Sequence, residues 1–252
     1  MDFTDKRVLV TGGSRGIGKA VANAFASRGA RVAIGYRSNT EAAETTISGL
    51  PGGPHTMVQC DVTDPEAVER MVSTAIQSLD GLDIVVNNAG IWVDHPLEEL
   101  DYDQWQDAWQ RVIEANLIGP ANVCYCAARH LITHGGGRIV NVSSRGAFRG
   151  EPDGPAYGAS KAGLNSMSQS LARRLAPHDI FVGVVAPGFV DTDLASRVLD
   201  GPTGDEIRSQ SPLGRVATPE EVAFAVLFLA ADGSEFSTGA IIDVNGASYL
   251  RT

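Results

Sequence analysis

The sequence predicts a single α/β domain of the doubly wound type, a parallel sheet with helices on both faces. Three observations carry that reading. Short runs rich in Val and Ile recur along the chain, the pattern of strands buried on both faces. Helical patterns of ten or more residues separate most of them, and such alternation builds parallel βαβ units. The 252 residues are 43% hydrophobic and 20% charged, which is enough apolar material for one sizeable core.

Taken in order, the strand-like runs are RVLVT (7–11), RVAIGY (31–36), MVQCDV (57–62), DIVVNNA (83–89), RIVNVS (138–143), FVGVVAP (181–187) and AIIDVNG (240–246). They predict seven strands. Between them lie helical patterns such as IGKAVANAFASRGA and PEAVERMVSTAIQSL, with Gly29 and Gly81 placed to end them. No internal repeat, low-complexity tract or linker interrupts the series, so residues 1–252 are expected to form one domain. The longest stretch without a clear element, 189–217, carries Gly, Pro and charged residues and reads as a substrate loop or lid.

Composition excludes several classes of partner. The formal net charge of -10 repels phosphate backbones and anionic membrane surfaces, so neither nucleic acid nor membrane is expected. The longest apolar run, VAFAVLFLAA, falls short of the ~20 residues of a membrane span and reads as a core helix. The acidic start MDFTDKR is unlike a signal peptide, which points to the cytoplasm. Cys60, Cys124 and Cys126 lack metal-like spacing and read as reduced thiols. His130 and His134 stand four apart with no matching carboxylate or Cys cluster, so no metal is expected.

The first strand runs into TGGSRGIG, residues 11–18. In a strand–turn–helix, Gly12, Gly13, Gly16 and Gly18 permit a tight turn and let the backbone approach a pyrophosphate at the helix N-terminus. Ser14, Arg15 and Ile17 complete this cofactor cradle. An acidic residue about 20 positions on would select NAD, whereas an arginine accommodates the phosphate of NADP. Here the second strand ends in Tyr36 and Arg37, with no carboxylate. Arg37 and Arg15 could then grip that phosphate from two sides, so NADP(H) is the expected cofactor; the alternative is two solvated surface arginines.

In PAYGASKAGL (155–164), Tyr157 precedes Lys161 by four residues, so on a helix the two share a face. A nearby ammonium favours phenolate and lowers a tyrosine pKa from ~10, making the hydroxyl a usable acid or base. An ordinary amphipathic helix start is the other reading of the pair.

Together these residues resemble the classical short-chain dehydrogenases/reductases over essentially the whole chain: TGGSRGIG (11–18), CDV (60–62), NNAG (87–90), Asn116, NVSS (141–144), YGASK (157–161) and APGFVDTD (186–193), in order. The C-terminal PLGRVATPEEVAFAVLFLAADGSEFSTGAIIDVNG is most similar to 3-oxoacyl-[acyl-carrier-protein] reductases. The resemblance implies a Rossmann fold and a reversible, NADPH-dependent reduction of a ketone to a secondary alcohol. It makes Tyr157 the acid/base and gives Lys161 the tuning of its pKa and the nicotinamide ribose. Family spacing selects Ser144 over Ser143 as the group holding the substrate carbonyl, and Asn116 as the positioner of a water behind Lys161. It places Asp61 and Val62 at the adenine, Asn88, Ala89 and Gly90 at the adenosine ribose, and Pro187, Gly188, Val190 and Thr192 at the nicotinamide end.

The resemblance also implies a homotetramer, and an acyl carrier protein as partner beside a small-molecule carbonyl substrate. Two positions where carrier-protein reductases present basic residues hold Gly135 and His178 instead, which counts against the carrier. Arg145 and Arg149 follow the catalytic serine where small or apolar residues are usual; either could bind an anionic group on the substrate, or be solvated. Trp105 and Trp109 suit core or interface packing. A non-catalytic dinucleotide-binding regulator could share the fold but would not need the tetrad Asn116, Ser144, Tyr157 and Lys161. An enoyl reductase of the family spaces its tyrosine and lysine more widely than four.

Overall fold

The computed structural model describes residues 1–251, the side chains of Leu194 and Arg197 excepted. The strands are β1 (Arg7–Thr11), β2 (Arg31–Tyr36), β3 (Thr56–Gln59), β4 (Ile84–Asn87), β5 (Gly137–Val142), β6 (Ile180–Pro187) and β7 (Ile241–Val244). They form one seven-stranded sheet in the order β3-β2-β1-β4-β5-β6-β7, every pairing parallel. The helices are α1 (Gly16–Ala26), α2 (Thr40–Gly49), α3 (Pro65–Leu79), α4 (Tyr102–Ile113), α5 (Gly119–Leu131), α6 (Gly146–Arg149), α7 (Pro155–Leu175), α8 (Asp193–Leu199), α9 (Gly204–Ser209) and α10 (Pro219–Ala230). The predicted doubly wound fold is observed.

The strand period of two sorts the core into layers. Val8 and Val10 of β1 join Ile34, Val86, Val140, Phe25 and Val226 on the face covered by α1 and α10. Leu9, between them, joins Val85, Met71, Leu79 and Val123 beneath α3 and α5. Ile139, Ile180 and Val182 pack under α7 with Leu175. The two edge strands depart from the expected double burial. β3 ends at Gln59, before Cys60 and Asp61, and β7 has no fully buried residue, because each pairs on one side only.

Strand order reverses between β1 and β4, and ligands of open α/β sheets bind beyond the carboxyl ends of the strands at such a switch. α4 and α5 run on through a π turn, Glu114–Ile118, which places Asn116 at the irregular point; π turns concentrate at functional sites. Residues 189–217, where the sequence shows no clear element, contain short helices. They hold α8 and α9, of seven and six residues, too short for periodicity to register, and a Val190–Ala217 bridge closes the segment at its base. Among the described residues no helix is long and apolar enough to cross a membrane.

Candidate active site

The turn after β1 is held by the segment after β4. The Thr11 hydroxyl accepts from the N–H groups of Asn88 and Ala89, both at 3.1 Å, and Asn88 Nδ2 donates to the carbonyls of Thr11 and Gly12 at 3.0 and 3.1 Å. Asn88 therefore stiffens the cradle with its side chain, and Ala89 lies against Gly12. Gly12 and Gly16 have φ of +63° and +52°. A Cβ on Gly18 would fall on the Gly12 carbonyl, and one on Gly16 would stand 3.2 Å from Thr192 Cγ2, so Thr192 closes the far side of the turn. These missing side chains leave a cradle of backbone N–H groups at the start of α1, which fits the pyrophosphate of a dinucleotide.

Arg15 precedes α1 and is exposed; Ile17 packs onto the core, and the Ser14 carbonyl accepts from Thr46 at 2.9 Å. At the end of β2, Tyr36 is buried and Arg37 exposed, and among the described residues neither arginine makes an ion pair. Asp61 accepts from Thr63 in its own turn, and the Val62 carbonyl abuts Gly119. β6 ends at Pro187; the Gly188 N–H donates to Val244 at 3.0 Å, and Thr192 Oγ1 donates to the Val190 carbonyl at 3.4 Å.

Tyr157 and Lys161 lie one turn apart on α7, facing Ser144 at the end of β5. The Ser144 hydroxyl accepts from the Gly146 N–H at 3.0 Å and hydrogen-bonds with Tyr157. Ser143 is 4% exposed and turns inward to the Lys161 carbonyl at 3.3 Å, which leaves Ser144 as the serine of the site. Lys161 is 4% exposed; its ammonium donates to the Val142 carbonyl at 2.9 Å and sits 5.8 Å from the Tyr157 ring centre.

This geometry corrects the electrostatics expected of the pair. Burial pushes the Tyr157 hydroxyl above its ordinary pKa, the Ser144 hydrogen bond offsets part of that, and the Glu151 carboxylate adds to it. Burial also pushes Lys161 down to about 8. The ammonium is held at the Val142 carbonyl, and desolvation dominates the shift of the phenol. Tyr157 is therefore a protonated donor at neutral pH.

Asn116 is fully buried and clamps a backbone segment: its Oδ1 accepts from the Ile91 N–H at 2.8 Å and its Nδ2 donates to the Ile91 carbonyl at 2.9 Å. A Cβ on Gly90 would stand 3.1 Å from Asn116 Oδ1 and 3.5 Å from Lys161 Nζ. Gly90, Asn116 and Lys161 thus meet behind Tyr157. The side chain of Asn116 is committed to Ile91, an architectural role that its motif does not announce.

The family model described as enoyl-(acyl carrier protein) reductase matches residues 12–247. A solved short chain dehydrogenase from Burkholderia cenocepacia J2315, in complex with NADP, superposes with a TM-score of 0.90 at 36% identity, covering 98% of this chain and 99% of that one. This chain belongs to the short-chain dehydrogenase/reductase family. A dehydrogenase/reductase from Sinorhizobium meliloti 1021 also gives a TM-score of 0.90, at 35% identity over 99% of this chain and 97% of that one. The 3-oxoacyl-[acyl-carrier-protein] reductase FabG of Escherichia coli (strain K12) is 38% identical over 250 residues, 99% of this chain and 100% of the relative. FabG of Chlamydia trachomatis serovar D is 38% identical over 246 residues, 97% of each chain.

Further residues of this short-chain dehydrogenase/reductase complete the wall around Tyr157. The Trp92 ring meets the Tyr157 ring edge-on, centres 4.9 Å apart, and a Cβ at Gly154 would approach the Trp92 ring to 2.6 Å, so a larger residue there must displace that ring. His95 is fully buried. Its Nε2 accepts from the Ala156 N–H at 3.0 Å, so Nδ1 carries the proton and donates to the Val93 carbonyl at 2.7 Å. The imidazole thereby pins the first turn of α7 beside Tyr157, a role no spacing in the sequence announces. Trp105 packs on His95 with centres 5.5 Å apart and on Trp109 at 5.9 Å, a packing role. His130 and His134 stack on each other at 3.9 Å, and no cluster of three or more metal-ligating side chains exists among the described residues. Cys60, Cys124 and Cys126 are free thiols; burial pushes Cys60 up to about 11 and Cys124 up to about 12.

Proposed function

We propose that this chain is an NADPH-dependent carbonyl reductase that converts a ketone to a secondary alcohol, reversibly. The observation that carries the reading is the convergence of Ser144, protonated Tyr157 and Lys161 beside a glycine cradle whose second strand ends in Arg37 rather than a carboxylate. When bound, NADPH supplies the hydride. Gly12, Ser14, Arg15, Gly16, Ile17 and Gly18 would hold its pyrophosphate, with Arg15 and Arg37 at the 2′-phosphate. Asp61 and Val62 would flank the adenine, and Asn88, Ala89 and Gly90 the adenosine ribose. Lys161 would hold the nicotinamide ribose, and Pro187, Gly188, Val190 and Thr192 the nicotinamide.

The Ser144 hydroxyl donates to the substrate carbonyl oxygen and polarises it, and Tyr157 delivers a proton to that oxygen as charge develops. Lys161 stabilises the phenolate that remains. Asn116, behind Lys161, shapes the path by which a water refills the proton. In oxidation Tyr157 takes the proton back.

The FabG relatives are named for 3-oxoacyl-[acyl-carrier-protein] reduction, which supports a 3-oxoacyl thioester as one substrate class. The family model carries an enoyl reductase description, but the four-residue spacing of Tyr157 and Lys161 favours carbonyl chemistry. NADPH consumption should be followed against acetoacetyl and crotonyl thioesters and cyclic, aromatic and acidic ketones. Turnover of ketones and not of the enoyl thioester is expected. Tight NADPH binding without any turnover would favour the regulator instead.

Cofactor choice is expected to reside in the two arginines. Arg37→Ala should lower kcat/KM for NADPH about tenfold, the scale of one lost charge-assisted contact, and leave NADH turnover nearly unchanged; Arg15→Ala should act in the same direction. Initial rates with both cofactors measure this.

A second copy of the chain is the partner the surface supports. Ile118, Tyr125 and Ile132, 47%, 68% and 38% exposed, recur every seventh residue along the π turn, α5 and its end. Phe224 and Phe228 of α10 are 63% and 43% exposed. Two such apolar stripes on different faces suit a homotetramer. Light scattering should give four times the chain mass of 26.5 kDa.

A further inference from the structure

The side chain immediately after the catalytic serine is a buried cation without a carboxylate partner. Arg145 is 4% exposed. Its Nη1 donates to Ser248 Oγ at 2.6 Å and its Nη2 to Gln210 Oε1 at 2.7 Å, both neutral acceptors. Its guanidinium carbon lies 5.1 Å from the centre of the Phe189 ring. Among the described residues no carboxylate comes within 4.0 Å of it, and three of its five N–H groups have no acceptor. A largely buried guanidinium that faces a cavity without a counter-ion is placed to receive an anion.

Arg145 lines a cavity of about 110 Å³ walled by Phe189, Ile207, Leu213, Asn245 and Ser248. The other charges on this wall, Arg215 and Glu221, neutralise each other at 2.6 Å. Glu151 acts on Arg145 from beyond ion-pair distance and is opposed by Arg149. Desolvation, then the Arg149 charge, weaken the protonated form of Arg145, so the local field asks for an anion.

The backbone ties this cavity to the candidate active site. Arg145 follows Ser144 in the chain, its N–H donates to the Pro187 carbonyl at 2.8 Å, and Asn245 stands 3.1 Å from where a Gly188 Cβ would lie. Phe189 continues directly from Gly188. Both walls of the cavity are thus anchored to residues placed at the carbonyl and nicotinamide end.

We infer that Arg145 is the specificity-determining residue of a carboxylate subsite, so that the preferred ketones carry a carboxylate a short distance from the reacting carbonyl. The guanidinium fork matches a carboxylate with two parallel hydrogen bonds, and Phe189, Ile207 and Leu213 cover the chain between carbonyl and anion. This substrate class rests on the carbonyl reductase reading, but the subsite itself is tested without turnover.

Two measurements separate the claims. Titration calorimetry of pentanoate, an unreactive carboxylate, into the NADP-loaded protein should show binding that weakens about tenfold or more in Arg145→Met. In kinetics with NADPH, 3-oxobutanoate and 4-oxopentanoate should be preferred over their methyl esters, and the acid-to-ester ratio of kcat/KM should fall about tenfold or more in the same variant. Should Arg145→Met fail to fold, Arg145→Lys keeps the charge, loses the fork and should lower the same ratio. Pentanoate that does not bind the wild type, or a ratio indifferent to both variants while ketones are reduced, overturns the subsite and leaves the reductase standing. Arg145-dependent pentanoate binding with no ketone reduced overturns the reductase and leaves the subsite standing.

Discussion

Replacing Tyr157 with phenylalanine is expected to lower kcat by about 10²–10⁴-fold, the usual contribution of a positioned proton donor, while NADPH still binds. The ring keeps its edge-on contact with Trp92, so the variant removes the hydroxyl and little else. Stopped-flow NADPH oxidation with the best ketone, beside NADPH fluorescence titration, separates chemistry from binding. The pH profiles of the wild type carry the same assignment. Burial raises the Tyr157 pKa, so reduction, which needs the protonated form, should hold through neutrality and decline only at alkaline pH. Oxidation needs the phenolate and should rise as the pH rises. A Tyr157→Phe enzyme with undiminished kcat would remove the proton-transfer role altogether.

Lys161→Met should abolish most activity and reveal the strain that Lys161 imposes on the free protein. Its ammonium is buried against one carbonyl, and burial pushes its pKa from an ordinary 10.5 down to about 8. Below pH 8 the group is charged in both folded and unfolded chains, and the folded protein bears a constant penalty. Between about 8 and 10.5 the folded group loses its proton while the unfolded one keeps it, so stability rises with pH across that window. At 1.36 kcal/mol for each tenfold change in proton affinity, the gain approaches about 3 kcal/mol. The methionine variant has no such proton to lose. Urea unfolding of both proteins at pH 7 and pH 10 should therefore show the wild type gaining on the variant by that order. A difference between the two proteins that does not move with pH would mean that Lys161 is not carrying a buried charge.

The candidate site is legible in the chain because its members sit at fixed local spacings. Tyr157 and Lys161 are one helical turn apart, and the glycine turn is a contiguous strand–turn–helix, so local geometry nearly defines both. The interior strands are legible for the same reason, since double burial writes an unbroken apolar run. The edge strands β3 and β7 differ from expectation in burial and length, because an edge lacks one neighbour and its exposure depends on where the sheet stops. Helices α8 and α9 leave no periodic signal because six or seven residues complete no second turn of a hydrophobic stripe.

Long-range partnerships leave no trace in the chain. Thr11 reads as the end of the first strand and the start of TGGSRGIG, but nothing in the chain shows that its hydroxyl holds Asn88 and Ala89 from 77 and 78 residues away. His95 belongs to no motif, yet it pins Ala156 from 61 residues away. Arg145 is an unusual residue in a familiar motif, and its burial depends on Gln210 and Ser248, 65 and 103 residues on.

The order of residues alone specifies the doubly wound fold, the glycine cradle, the pairing of Tyr157 with Lys161 and the placing of Arg15 and Arg37 after the first two strands, because each rests on contacts within a turn or a βαβ unit. Folding was needed to establish that Tyr157 is kept protonated, that Asn116 commits its amide to Ile91, and that Arg145 is desolvated beside the reacting centre. Those properties are set by burial and by field, and both are sums over residues that the chain brings together only when it folds.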